Sequence, residues 1–131
     1  MFDLMSAARG AAYRALKAAI TTTPVYDDVP ENTPPPFIKI GNIDSENASS
    51  KDQQTERLTI EVYAVYRGSD RGVLMAMLHA ARNAIDGRPL TAPGAVFGLP
   101  SYTRMTASDA SQADGVTFAA IVNFDVLAEP A

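Results

Sequence analysis

Apolar side chains recur along this chain at two different periods, and the switches between them mark out its elements. Over residues 2–20, Met5, Ala8, Ala12, Leu16, Ala19 and Ile20 follow the three-and-four spacing of a helix face. Arg9, Arg14 and Lys17 fall off that stripe, and the many alanines favour the helical state. Thr21-Thr22-Thr23-Pro24 ends the helix, because β-branched residues and a proline together oppose its continuation. A second helix is predicted over residues 70–86. Its apolar stripe is Leu74, Met77, Leu78, Ala81 and Ile85, with Ser69 as N-cap and Gly87 at the end.

The remaining segments alternate with period two. Residues 37–43 predict a strand with Ile38 and Ile40 on one face and Lys39 on the other. Over residues 57–67, Leu58, Ile60, Val62, Ala64 and Tyr66 alternate with Thr59, Glu61, Tyr63, Val65 and Arg67. In the last strand Val116, Phe118, Ala120, Val122, Phe124 and Val126 alternate with Thr117, Ala119, Ile121, Asn123, Asp125 and Leu127. A further strand is expected around residues 95–104, where Gly98 and Pro100 fit an edge position. Residues 44–56 are polar apart from one alanine, which predicts a protruding, mobile loop.

The order helix, strand, strand, helix, strand, strand predicts an α+β fold. Its expected form is a mostly antiparallel four-stranded sheet with two helices packed on one face. No repeat or linker interrupts the 131 residues, so a single domain over residues 1–131 is expected.

Composition narrows the chemistry. With no cysteine there is no disulfide framework, thiolate metal site or cysteine nucleophile. A net charge of −4 argues against general nucleic-acid binding. No apolar run approaches the ~20 residues that span a bilayer. Met1-Phe2-Asp3-Leu4-Met5 lacks the form of a secretory signal, so synthesis in a cytoplasm is expected. His79 is the only histidine, and neither a Gly-x-Ser-x-Gly elbow nor a His-Glu-x-x-His pattern accompanies it. It is therefore expected to be a partly exposed structural residue.

Gly68-Ser69-Asp70-Arg71-Gly72 stands where a phosphate loop would, but without the Gly-Lys-Ser/Thr ending. The acidic pairs Asp27 and Asp28, Asp44 and Glu46, and Asp109 and Asp114 lie in turn-like or polar stretches, which favours turn chemistry over metal binding. No catalytic residue, cofactor or metal site is assigned. What remains is a surface. If both helices cover one sheet face, Tyr63, Val65, Ala119, Ile121 and Leu127 form an apolar stripe on the other, a candidate subunit interface.

The succession of segments resembles the tail terminator, or tail completion, proteins of long-tailed bacteriophages, including their head–tail joining members. The resemblance is carried by the Ala-rich first helix, Val25-Tyr26-Asp27-Asp28-Val29-Pro30 and Pro36-Phe37-Ile38-Lys39-Ile40-Gly41. After the polar loop it continues through Leu58-Thr59-Ile60-Glu61-Val62-Tyr63-Ala64, Arg67-Gly68, Ala84-Ile85-Asp86-Gly87-Arg88-Pro89-Leu90 and Asp114-Gly115.

It implies a structural virion protein of the tail and neck, with no turnover and no cofactor. Such a protein forms a hexameric ring that caps the tail tube, stops its polymerisation and docks to the head connector. The implied partners are further copies of itself (a homohexamer), the major tail tube protein and a connector or stopper protein. No membrane and no specific nucleic acid is implied, although genome DNA would pass through the ring. In that setting Asp44, Glu46, Lys51, Asp52 and Glu56 become a candidate loop for lining the lumen or touching a neighbour. The alternatives are another neck ring protein, a stopper or adaptor, or a small enzyme or ligand-binding domain using His79 and loop carboxylates.

Overall fold

A computed structural model describes residues 2–110 and 114–131. In chain order the elements are α1 (Leu4–Ala19), β1 (Val25–Tyr26), β2 (Phe37–Asn47), β3 (Glu56–Arg67), α2 (Arg71–Ile85), β4 (Ala95–Phe97), β5 (Ser101–Ala107) and β6 (Thr117–Pro130). The Asp3 carboxylate caps α1 by accepting from the Ser6 backbone N–H at 3.0 Å. The cap of α2 is Asp70 rather than Ser69, accepting from the Gly72 N–H at 2.9 Å. Gly87, with φ of 67°, turns the chain out of that helix.

The fold is α+β as the patterning predicts, but the sheet is neither four-stranded nor wholly antiparallel. Among the described residues it has six strands in the order β1-β2-β3-β6-β4, with β5 also paired to β6. Two local effects account for the difference. First, Val25–Tyr26 runs parallel to β2, anchored by the Ile38 N–H donating to the Pro24 carbonyl at 2.9 Å. Two residues are too few to show a period.

Second, the strand expected over residues 95–104 is two strands, broken at Gly98-Leu99-Pro100. There the Gly98 N–H still reaches the Leu127 carbonyl at 2.9 Å, whereas Pro100 has no N–H to donate. The Pro100 carbonyl instead accepts from Gly87 at 2.8 Å.

The polar segment 44–56 is also shorter as a loop than expected. Residues 44–47 pair with residues 56–59, and the Ala48 N–H donates to the Thr55 carbonyl at 2.9 Å. Most of the segment is therefore a two-stranded arm, closed by a turn in which Ser50 N–H meets the Gln53 carbonyl at 3.0 Å. Its side chains are largely exposed on both faces, so no hydrophobic alternation betrays the strands.

Both helices lie on one side of the sheet and share one core with it. Leu4, Ala8, Ala12 and Leu16 of α1 meet Leu74, Leu78, Ala81 and Ile85 of α2 above the even-numbered residues of β2, β3 and β6. Phe124, Ile60, Val62 and Val122 are at most 1% exposed. Leu4 takes the place expected for Met5, which is 37% exposed. No polar or charged residue among those described is buried.

Candidate functional site

Among the described residues no helix lies on the second sheet face, whose geometry follows from the β3–β6 register. Tyr63 stands opposite Ile121, and Val65 opposite Ala119. These four side chains form a contiguous apolar block, since cross-strand neighbours on one face approach to ~5 Å at Cβ. On β2, Phe37 and Lys39 extend the same two rows. The Tyr63 ring lies over Gly41, and the Lys39 ammonium sits 5.1 Å from its centroid.

Leu127 separates from this block. Asn123 and Asp125 lie between it and Ile121 along β6, opposite Glu61 and Thr59. The Thr59 hydroxyl donates to the Asp125 carboxylate at 3.0 Å. Leu127 instead stands beside Val96 and Leu99, the three being 46%, 51% and 64% exposed. Patterning alone does not single out Val96 or Leu99, because what joins them to Leu127 is the pairing of β4 with the end of β6.

A polar row crosses the centre of this face. Glu61 on β3 faces Asn123 on β6, which in turn faces Arg104 on β5. Glu61 Oε1 and Asn123 Oδ1 are both buried, and neither has a hydrogen-bond partner among the described residues. Arg104 is exposed, and no described residue makes an ion pair with it.

The arm residues divide into three groups. Asp44 and Glu46 lie on the outer face, opposite Thr59 and Arg57. Lys51 and Asp52 are exposed at the tip. Glu56 is held within the chain, accepting from the Ser45 hydroxyl and from Gln54 Nε2 at 2.8 Å. The same Gln54 nitrogen reaches the Phe2 carbonyl at 3.3 Å, tying the base of the arm to the start of α1.

The acidic pairs outside the arm are engaged by arginines. Arg9 of α1 contacts Asp27 through Nε and Asp28 through Nη2, the latter at 2.8 Å. The hydrogen bond to Asp27, ahead of the charge attraction, raises the Arg9 pKa and keeps the guanidinium protonated. Arg71 lies 3.7 Å from Asp109. Asp114 accepts from the Thr117 hydroxyl and from the Val116 and Thr117 N–H groups, and Arg67 stands 3.8 Å away. Led by the Thr117 hydroxyl, these contacts lower its pKa to about 2.

His79 is exposed on α2. Among the described residues no three His, Asp or Glu side chains gather where they could hold a metal ion. An open recess of about 480 Å³ at the end of α1 is lined by Lys17, Ile20 and residues 21–25, without a carboxylate or histidine.

Among the described residues these features define a small α+β protein whose prominent surface is an uncovered sheet face rather than a cleft with reactive groups. The chain belongs to the family Tail completion protein gp17, whose sequence model matches residues 7–129. It is a structural tail protein of the bacteriophage-type virion, and this family is not one of enzymes. A chain from the virion of a native gene transfer agent (GTA) particle has the same fold. The TM-score is 0.77 at 19% identity, covering 99% of this chain and 98% of that one. No curated protein matches the sequence. Among the described residues, no helix is long and apolar enough to cross a membrane.

Proposed function

We propose that this chain is a tail terminator: six copies close into a ring on the end of the tail tube. The ring stops addition of tube protein and offers its other side to the head connector or stopper protein. The observation that carries this reading is the contiguous block of Tyr63, Val65, Ala119 and Ile121 on a sheet face that neither helix covers. In a chain of the tail completion family, such a face is suited to contact between neighbouring subunits. A heterologous contact of this kind closes when its rotation is one-sixth of a turn, and runs on as a filament otherwise.

Leu127, with Val96 and Leu99, forms a second apolar spot at the far end of the same face, available to the opposite flank of a neighbour. The arm supplies the contact to the lumen or to the next subunit. Asp44, Glu46, Asp52 and Glu56 outnumber Lys51 and Arg57 by two charges, so an arm facing the lumen repels passing DNA rather than gripping it. Class averages of the purified protein, and of the virion neck, test the reading. A six-fold ring at the head end of the tube is expected. A different copy number, or a position inside the connector, would assign the chain to a stopper or adaptor role instead.

A further inference from the structure

The outward surface of the helix layer is chemically unlike an ordinary solvent face. Beyond Arg71 at its start, α2 exposes Gly72, Val73, Met75, Ala76, His79 and Asn83. No aspartate, glutamate or lysine stands among them, although the outer face of a surface helix is usually charged. The charges that the two helices do carry are all basic: Arg9, Arg14 and Lys17 on α1, Arg71 and Arg82 on α2. Arg9, Arg71 and Arg82 each lie beside an aspartate of their own chain. Arg14 and Lys17 are exposed and have no acidic partner among the described residues.

The outer sheet face has the opposite character where it runs out into the arm. Asp44 and Glu46 on β2 and Asp125 on β6 share that side of the sheet. No described residue forms an ion pair with any of the three. A heterologous contact needs two different surfaces on every copy, and these two are complementary in charge.

We infer that the helix layer is the flank on which the next copy's sheet face docks. The acidic arm lies along α1 against Arg14 and Lys17, and the apolar block of Tyr63, Val65, Ala119 and Ile121 lies over α2. The inference rests on the ring reading above and names the second surface of its contact. It assigns the arm to the neighbour rather than to the lumen. Spacing admits both contacts at once. The row of Asp44 is four residues along β3 from the row of Tyr63, about 13 Å. Packed helix axes stand ~8–10 Å apart, and the long stem of a lysine or arginine covers the remainder.

Charge exchange on the full chain tests the assignment, with class averages reading the ring and circular dichroism checking the fold. Native protein is expected to give six-fold rings. Asp44→Lys with Glu46→Lys, and separately Arg14→Glu with Lys17→Glu, set like charges together at every contact. Each pair is expected to abolish the ring at a concentration where the native chain forms it. Mixing the two variants is expected to restore rings of alternating copies, because every arm again meets a helix of opposite sign. Arg14 also donates to the Thr91 carbonyl at 2.7 Å, so Lys17→Glu alone serves as a second helix variant, expected to lose most rings. Ala76→Arg, on the uncharged part of the layer, is expected to prevent ring formation with the fold intact. Native protein that forms no ring overturns the ring reading and this inference together. Rings that persist in any of these folded variants, or a mixture that stays dispersed, overturn this inference and leave the ring reading standing.

Discussion

The ring of Tyr63 fills the space that a Cβ on Gly41 would occupy, so the irregularity in β2 and the apolar block on β3 are fitted to each other. Gly41 falls where the β2–β3 register shifts between Ile40 and Ile43, and the missing side chain lets the aromatic ring lie flat on the sheet. Gly41→Ala is expected to lift the ring and cost about 1 kcal/mol in denaturant unfolding. In a Tyr63→Ala background most of that cost should vanish, the coupling in the double-mutant cycle being the measured quantity.

Ile121 and Phe124 are three residues apart on β6 and lie on opposite faces, so the proposed interface can be tested apart from the core. Phe124→Ala removes a fully buried ring from the core and is expected to cost about 3–5 kcal/mol of stability. Ile121→Asp or Tyr63→Glu is expected to leave the circular dichroism spectrum intact while abolishing the ring in class averages. Unfolding of these two variants would place the residues in the core and remove the basis for an interface there.

Asp114 makes acid sensitivity local. Its pKa in the folded chain, about 2, is below the ordinary carboxylate value of ~3.9. Its contribution to folding is thus complete above about pH 4 and is lost as pH falls through about 2. A carboxyl titration by NMR should show this midpoint. Thr117→Val, which removes the hydroxyl with the largest effect, should move the midpoint upward toward the ordinary value.

Arg9 fastens α1 to the connection that follows it, through Asp27 and Asp28. The Arg9 and Asp27 side chains are 37% and 44% exposed, so solvent screens the pair. Arg9→Ala is expected to cost about 1 kcal/mol in low salt, and less in 1 M salt. Equal losses at both salt concentrations would show that packing of the arginine stem, rather than its charge, matters there.

The elements that bury one face were legible in the residue pattern. The alternation along 57–67 and 116–127 places Leu58, Ile60, Val122 and Phe124 inward and Tyr63 and Ile121 outward, as the structure has them. What the pattern could not carry was pairing without burial. Residues 44–47 bury neither face, and β1 is two residues long. Cross-strand neighbours were equally hidden. Alternation puts Asn123 and Asp125 between Ile121 and Leu127 on one face, and the β3–β6 ladder adds Glu61 and Thr59 beside them, which widens the interruption into a polar band. The link from Leu127 to Val96 and Leu99 rests on the break at Gly98-Leu99-Pro100, a long-range pairing with no local signature.

That break has a bearing on solubility. β6 is fourteen residues long, and a single partner of matching length would present an equally long open edge to any passing chain. Dividing the partner into stretches of three and seven residues, with a proline at the joint, leaves only short lengths of free backbone on that side. Fibril growth by indiscriminate strand addition is correspondingly disfavoured while the protein accumulates ahead of use.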